Sequence, residues 1–210
     1  MKVLLVNGSP HKEGCTYTAL TEVAQTLEKE GISTEIFWIG NQPIGGCVGC
    51  GACHRSGEGR CAFDPEGPVN TFLAKAGDFD GFIFGTPVHY AAAAGSMTSF
   101  MDRVFYAKTR QFYLKPAGLV ISARRGGTTA TWDQMNKYMG ISQMPIISTT
   151  YWNMVHGNTP DEVKQDLEGV QSMRVLGRIM AWFLKCKAAG EAAGVPLPEK
   201  EPVVRTNFIR

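Results

Sequence analysis

The sequence predicts one α/β domain built on a doubly wound, five-stranded parallel sheet. Three observations predict it. Short continuous apolar runs alternate with helical stripes across residues 1–189, and the runs end in glycine, proline or hydroxyl residues. A third observation is the glycine content, 24 in 210 residues, gathered in short loops rather than a repeat, as where backbone approaches a ligand. The length suits one domain with an appendage, expected as an extended tail over 190–210. An apolar fraction of 44% supports a sizeable core, and 19% charge is too little for a disordered chain. Lys+Arg 21 against Asp+Glu 19 leaves +2, with no electrostatic footprint of a nucleic-acid or membrane-surface protein.

The first strand is read at residues 3–6, a continuous apolar run that suits burial on both faces. A stripe of Leu20, Val23, Ala24 and Leu27, closed by Gly31, gives the first helix. Residues 32–39 are β-branched and aromatic and form the second strand; a Gly- and Cys-containing loop and a short helix near 69–75 follow. Strand three is placed at 82–84 with its helix at 93–104, strand four at 117–123 with a helix near 129–139, and strand five at 146–151. One long amphipathic helix starts after Pro160-Asp161 and carries Val163, Leu167, Val170, Met173, Met180 and Phe183. The uncharged stretch 81–101 holds Gly85, Pro87, His89 and Gly95 and reads as strand, loop and helix instead of a membrane span. The N-terminus runs straight into the first strand without a signal-peptide pattern, so a cytoplasmic location is expected.

In doubly wound sheets ligands sit at the carboxyl ends of strands, which directs attention to the loops 8–18, 86–95 and 122–128. The first runs Gly8-Ser9-Pro10-His11-Lys12-Glu13-Gly14-Cys15-Thr16-Tyr17-Thr18 between strand and helix. Exposed amides, the positive end of a helix dipole and hydroxyl donors suit a phosphate monoester. The alternative is a helix merely capped by Thr16 or Ser9. Neither the nucleoside-triphosphate pattern G-x-x-x-x-G-K-[ST] nor G-x-G-x-x-G is present.

Cys47-x2-Cys50-x2-Cys53, then Cys61 after seven residues, is the sharpest constellation. Four thiolates separated by glycines at 49, 51, 57 and 59 can wrap an iron–sulfur cluster, as in the C-x2-C-x2-C run of ferredoxins. Tetrahedral zinc and a reduced, metal-free turn are the alternatives. His54 is read as a neighbour more than a ligand. Cys186 is expected in the core; Cys15, at a helix N-terminus, is read either as a thiol of lowered pKa or as a packing residue.

Residues 3–10, Cys15-Thr16, Thr86-Pro87-Val88-His89-Tyr90, the run 95–103 and Arg124-Arg125-Gly126-Gly127 together resemble the flavodoxin-like NAD(P)H-dependent FMN reductases. With the cysteine loop at 45–61, the iron–sulfur flavoprotein branch is the most similar. The resemblance spans residues 2–151 and implies strand order 2-1-3-4-5, non-covalent FMN and a homodimer or homotetramer. It also implies that Ser9, His11, Thr16, Tyr17 and Thr18 hold the FMN phosphate. Cys15 lies in the same cradle, where the family commonly has Asn. The branch carries one [4Fe–4S] cluster in the matching loop, which would make Cys47, Cys50, Cys53 and Cys61 its ligands.

With FMN as the ligand, the backbone and side chains of Thr86, Pro87, Val88 and His89 are expected at the isoalloxazine ring. His89 or Tyr90 would stack on it or shape a nicotinamide pocket; a helix start with core aromatics is the plainer reading. Ala123, Arg124, Arg125, Gly126 and Gly127 follow strand four. Arg124, with Arg125 as second choice, would stabilise negative charge near N1 of the reduced ring, unless both are ordinary strand-end charges. No side-chain acid, base or nucleophile is required, because hydride passes directly from nicotinamide to flavin.

Trp132, Trp152 and Trp182 are read as core or subunit contacts, and the last helix and tail as a surface for a second subunit. Three activities compete: an oxidoreductase taking hydride from NAD(P)H to a small acceptor such as a quinone, flavin or metal; an electron carrier fed by a ferredoxin-like donor; and a non-catalytic metal or redox sensor.

Overall fold

The computed structural model describes residues 1–208; the last two positions of the expected tail, 209 and 210, lie outside the described residues. Strand β1 (Lys2–Asn7) leads to helix α1 (Cys15–Lys29) and β2 (Ser33–Trp38). The cysteine loop contains a single helical turn, α2 (Ala52–Arg55), and ends at α3 (Pro68–Lys75). Then come β3 (Gly81–His89), the two-residue β4 (Ala92–Ala93), α4 (Gly95–Lys108), β5 (Ala117–Ala123) and α5 (Thr128–Ile141). The chain finishes with β6 (Ile146–Ile147), β7 (Met154–His156), α6 (Pro160–Gln165) and α7 (Leu167–Ala192).

The sheet order is β2-β1-β3-β5-β6, with β7 also paired to β5 and every one of these pairs parallel. Counting β6 and β7 as one sheet position and setting β4 aside, this is the expected 2-1-3-4-5 order. Register aligns the carboxyl ends: Asn7 faces Trp38 and Gly85, Pro87 faces Ser122, and Ala123 faces His156. Alternating strand side chains feed two apolar layers. Leu4, Val6, Phe82 and Phe84 pack with Phe72, Phe100 and Met139 on one face. On the other, Val3, Leu5, Ile83 and Val120 meet Leu20, Leu27, Met173 and Met180. Each fully buried side chain of this kind contributes about 1.5–3 kcal/mol.

The structure corrects four expectations. Strand five, expected over 146–151, is two pieces. Between them the Thr149 hydroxyl donates to Tyr151 O (2.6 Å) and accepts its N–H (3.3 Å), a local alternative to the ladder. The long terminal helix is broken at Asp166, whose side chain accepts Gly169 N–H (3.0 Å) and so starts α7 afresh. Cys186 is exposed, because α7 buries Leu176, Met180 and Leu184 along a different stripe. The expected tail start at 190 lies inside α7, which continues to Ala192. Among the described residues no helix is long and apolar enough to cross a membrane.

Candidate functional site

The loop after β1 is wound by its own polar groups. Asn7, fully buried, donates from Nδ2 to Lys12 O (2.9 Å) and accepts Ser9 N–H (3.0 Å), while Ser9 Oγ accepts His11 N–H (3.1 Å). Gly8 N–H donates to Gly85 O (2.8 Å), tying the loop to β3. A Cβ on Gly8 would lie 2.8 Å from that oxygen and 2.5 Å from Met97 Sδ, so the close approach requires glycine. Trp38 closes the other side, donating from Nε1 to Ser9 O (2.8 Å), with Lys12 Nζ 5.9 Å from its ring centroid.

Helix α1 therefore begins at Gly14 with no side-chain cap and no acidic residue in its first turn. Its first intrahelical bond is Thr18 N–H to Gly14 O (3.0 Å), so the amides of Cys15, Thr16 and Tyr17 precede it. The capping alternative is not what forms. Ser9 orders the loop, and the buried Thr16 hydroxyl sits 2.8 Å from Ser122 Oγ, bridging α1 to β5. His11 and Lys12 are exposed, and Tyr17 and Thr18 are half-buried. The Cys15 thiol points to Gly157 O (3.6 Å), and burial raises its pKa above the ordinary 9.0, the reverse of an activated thiolate. A cleft of ≈ 570 Å³ opens here, lined by Pro10, His11, Cys15, Trp38, Asn41 and Thr159 among others.

The second and third loops touch each other instead of that cleft. Beyond Thr86, which is fully buried and accepts Ala94 N–H (3.2 Å), β3 runs on through Pro87, Val88 and His89 into a hairpin with β4. Its two-residue tip, Tyr90 (φ 49°) and Ala91 (φ 60°), is left-handed in residues that resist that conformation, and Tyr90 is fully exposed. The tip lies against Gly127 (φ 93°), where a Cβ would come within 2.5 Å of Ala91 Cα. Ala123 is buried; Arg124, Arg125 and Gly126 are exposed, and neither arginine makes an ion pair among the described residues. Helix α5 also starts without a side-chain cap or an acidic first turn, so two positive helix ends face this edge.

Cys47, Cys50, Cys53 and Cys61 line one small cavity of ≈ 20 Å³ together with Arg103 and Tyr106 of α4. Cys47 and Cys50 are exposed, Cys61 is half-buried, and Cys53 is buried. Burial raises the Cys53 pKa, and Cys50 and Cys47 add to the rise as like charges. As folded, no group of three His, Cys, Asp or Glu among the described residues is arranged to hold a metal ion. Arg103 was not singled out from sequence. The available signal was a cation set within the apolar run Phe100, Met101, Val104 and Phe105. Trp132 is half-buried against the core and 5.4 Å from Trp152, while Trp152 and Trp182 are exposed.

A parallel sheet with an uncapped first helix and a sealed second and third loop at its carboxyl edge has the architecture of a flavodoxin-like oxidoreductase. Residues 1–159 match the model of the NADPH-dependent FMN reductase family, and the chain belongs to that family. It is similar to an iron-sulfur flavoprotein of Methanocaldococcus jannaschii, 29% identical over 193 residues that cover 88% of this chain and 98% of the relative. Among solved structures, RosB with a bound riboflavin-5'-phosphate intermediate aligns with a TM-score of 0.68 at 15% identity, covering 100% of this chain and 96% of that one. An archaeal flavodoxin aligns at 0.58 with 12% identity over 88% and 99%. Both structural likenesses establish the fold.

Proposed function

We propose that the chain binds FMN without a covalent link at the carboxyl edge of its sheet, accepts hydride from NAD(P)H and passes the electrons to a small acceptor. The observation that carries this reading is the start of α1: amides before the first helical bond, no side-chain cap, no acidic residue in the first turn, and His11 and Lys12 lining the cleft together with one carboxylate, Glu13. FMN, when bound, supplies hydride acceptance and the release of electrons to the acceptor. The chain orients it. The amides of Cys15, Thr16 and Tyr17, with Ser9 and His11, hold the phosphate. Thr16 contributes backbone because its hydroxyl serves Ser122, and Thr18, expected among the phosphate ligands, instead orders the turn, since its N–H and its hydroxyl both donate to Gly14 O. The hairpin Thr86–His89 and the residues Ala123–Gly127 flank the ring, and Arg124 or Arg125 offsets negative charge on it.

A second reading is supported by the cysteine-lined cavity: an electron carrier joining FMN to a ferredoxin-like donor through a [4Fe–4S] cluster. Four thiolates are the donor set such a cluster takes, left-handed Gly49, Gly51, Gly57 and Gly59 let the loop wrap it, and the relative in M. jannaschii carries the name of an iron-sulfur flavoprotein. Cytoplasmic residence and a homodimer or homotetramer belong to the same proposal; the exposed apolar side chains Trp182, Val195 and Leu197, which line one groove, support the assembly.

Anaerobically purified protein tests this through its visible spectrum, iron, sulfide and zinc content, and titration with FMN and riboflavin. FMN is expected to bind about 100-fold more tightly than riboflavin, because riboflavin lacks the phosphate. Equal affinities, or a colourless protein that takes up no FMN, overturn the proposal. NADPH oxidation with and without ferredoxin separates reductase from carrier.

A further inference from the structure

We infer that Arg103 is a positioning residue of the cysteine site: it clasps both ends of the loop, and its buried charge eases reduction of a cluster held there. This rests on the proposed cluster. Arg103 Nη1 donates to Phe63 O (3.2 Å), just beyond Cys61, and Nη2 to Gly46 O (3.4 Å), just before Cys47. One side chain on a rigid helix thus gathers the two flanks of the segment that carries all four thiols. A Cβ at Gly45 would lie 3.1 Å from Nη2, so small residues make room for the clasp.

The third donor is unused. Arg103 is 9% exposed, and its Nε–H is buried without a partner among the described residues, in a side chain that lines the cysteine cavity. A buried guanidinium N–H with no acceptor is costly, and a sulfur anion in that cavity is the acceptor its chemistry suits. The neighbouring Arg55 does not substitute for it: that side chain is exposed and its Nη1 donates to Cys50 O (2.6 Å). A fixed, desolvated cation favours the more negative, one-electron-reduced form of a thiolate-bound cluster, whereas a solvated one is screened.

The test compares anaerobically reconstituted wild type, Arg103→Gln and Arg103→Lys. Iron and sulfide are counted, and dithionite supplies one electron per cluster in an EPR-monitored titration. FMN binding serves as a folding control. Arg103→Gln is expected to shift the cluster's reduction equilibrium about tenfold toward the oxidised form, about 59 mV for one electron. Arg103→Lys keeps the charge and recovers more than half of the shift, with FMN affinity unchanged in both. Equal cluster potentials in all three proteins overturn the inference. So does equal loss of iron and sulfide from both variants, which leaves only a mechanical clasp. Wild type that takes up no iron and sulfide overturns the inference and the cluster together, a result distinct from an unchanged potential in a loaded protein.

Discussion

Single residues set the shape of the sheet's carboxyl edge. Gly127 is left-handed, and any Cβ there strikes the backbone of Ala91, so Gly127→Ala is expected to cost about 1–3 kcal/mol in urea unfolding and to weaken FMN binding. Cys15 makes a pH prediction. Its thiol ionises later in the folded chain than in the unfolded one, because burial opposes the charge. The folded state therefore holds the extra proton, and the stability this confers is complete below pH 9.0 and is lost as pH rises through the folded value. Unfolding curves at neutral and alkaline pH are expected to show wild type losing stability that Cys15→Ala does not lose. At this scale the sequence was readable where a residue's chemistry names its place. Ser9 and His11 belong to the loop that a strand followed by a helix predicts. Thr16 was read as a ligand group or cap because nothing local shows that Ser122, 106 positions away, takes its hydroxyl.

At the scale of elements, the hairpin between β3 and β4 was not legible, since Tyr90-Ala91 lacks the Asn or Gly that usually permits two left-handed residues. Ala91→Gly should relieve that backbone and raise stability by about 0.5–1 kcal/mol in chemical denaturation. A helix start owes its position to one carboxylate as well. Asp166 accepts Gly169 N–H with one oxygen and His156 N–H (2.6 Å) with the other, joining α7 to β7. Asp166→Ala is expected to cost about 0.5–2 kcal/mol, read from the unfolding midpoint. The apolar stripe ran through this break without interruption, because Val163, Leu167 and Val170 keep helical spacing across it; only the capping geometry reveals the boundary. Strand five was similarly masked by the β-branched run Ile146-Ile147, whose polar continuation turns out of the ladder.

Across the whole molecule, the parallel order followed from continuous apolar runs, since strands buried on both faces cannot hide their composition: Val3, Leu4, Leu5 and Val6 are all 0% exposed. Helices α1 and α7 close one face and are joined at their rims by Arg174 to Glu22 (3.0 Å) and Lys185 to Glu30 (2.8 Å). Such half-exposed pairs contribute little, so the docking is chiefly apolar. Past α7 the chain leaves Val195, Leu197, Val203, Val204 and Phe208 exposed. The tail does touch the domain, with Lys200 Nζ 4.8 Å from the Tyr113 ring centroid, so shortening the chain at Pro198 is expected to lower the unfolding free energy by about 0.5–1 kcal/mol. Helix α4 has a different role at this scale. Its start is fastened to β3 by the Ala94 N–H bond to Thr86, and nine residues further on it presents Arg103 to the cysteine cavity, about 14 Å along the axis. The separation between the proposed FMN site at the sheet edge and the cysteine cavity is thus a helical ruler instead of a loop length. A one-residue insertion midway would turn the far end by about 100° and unlatch the pocket, while the sheet edge kept its form.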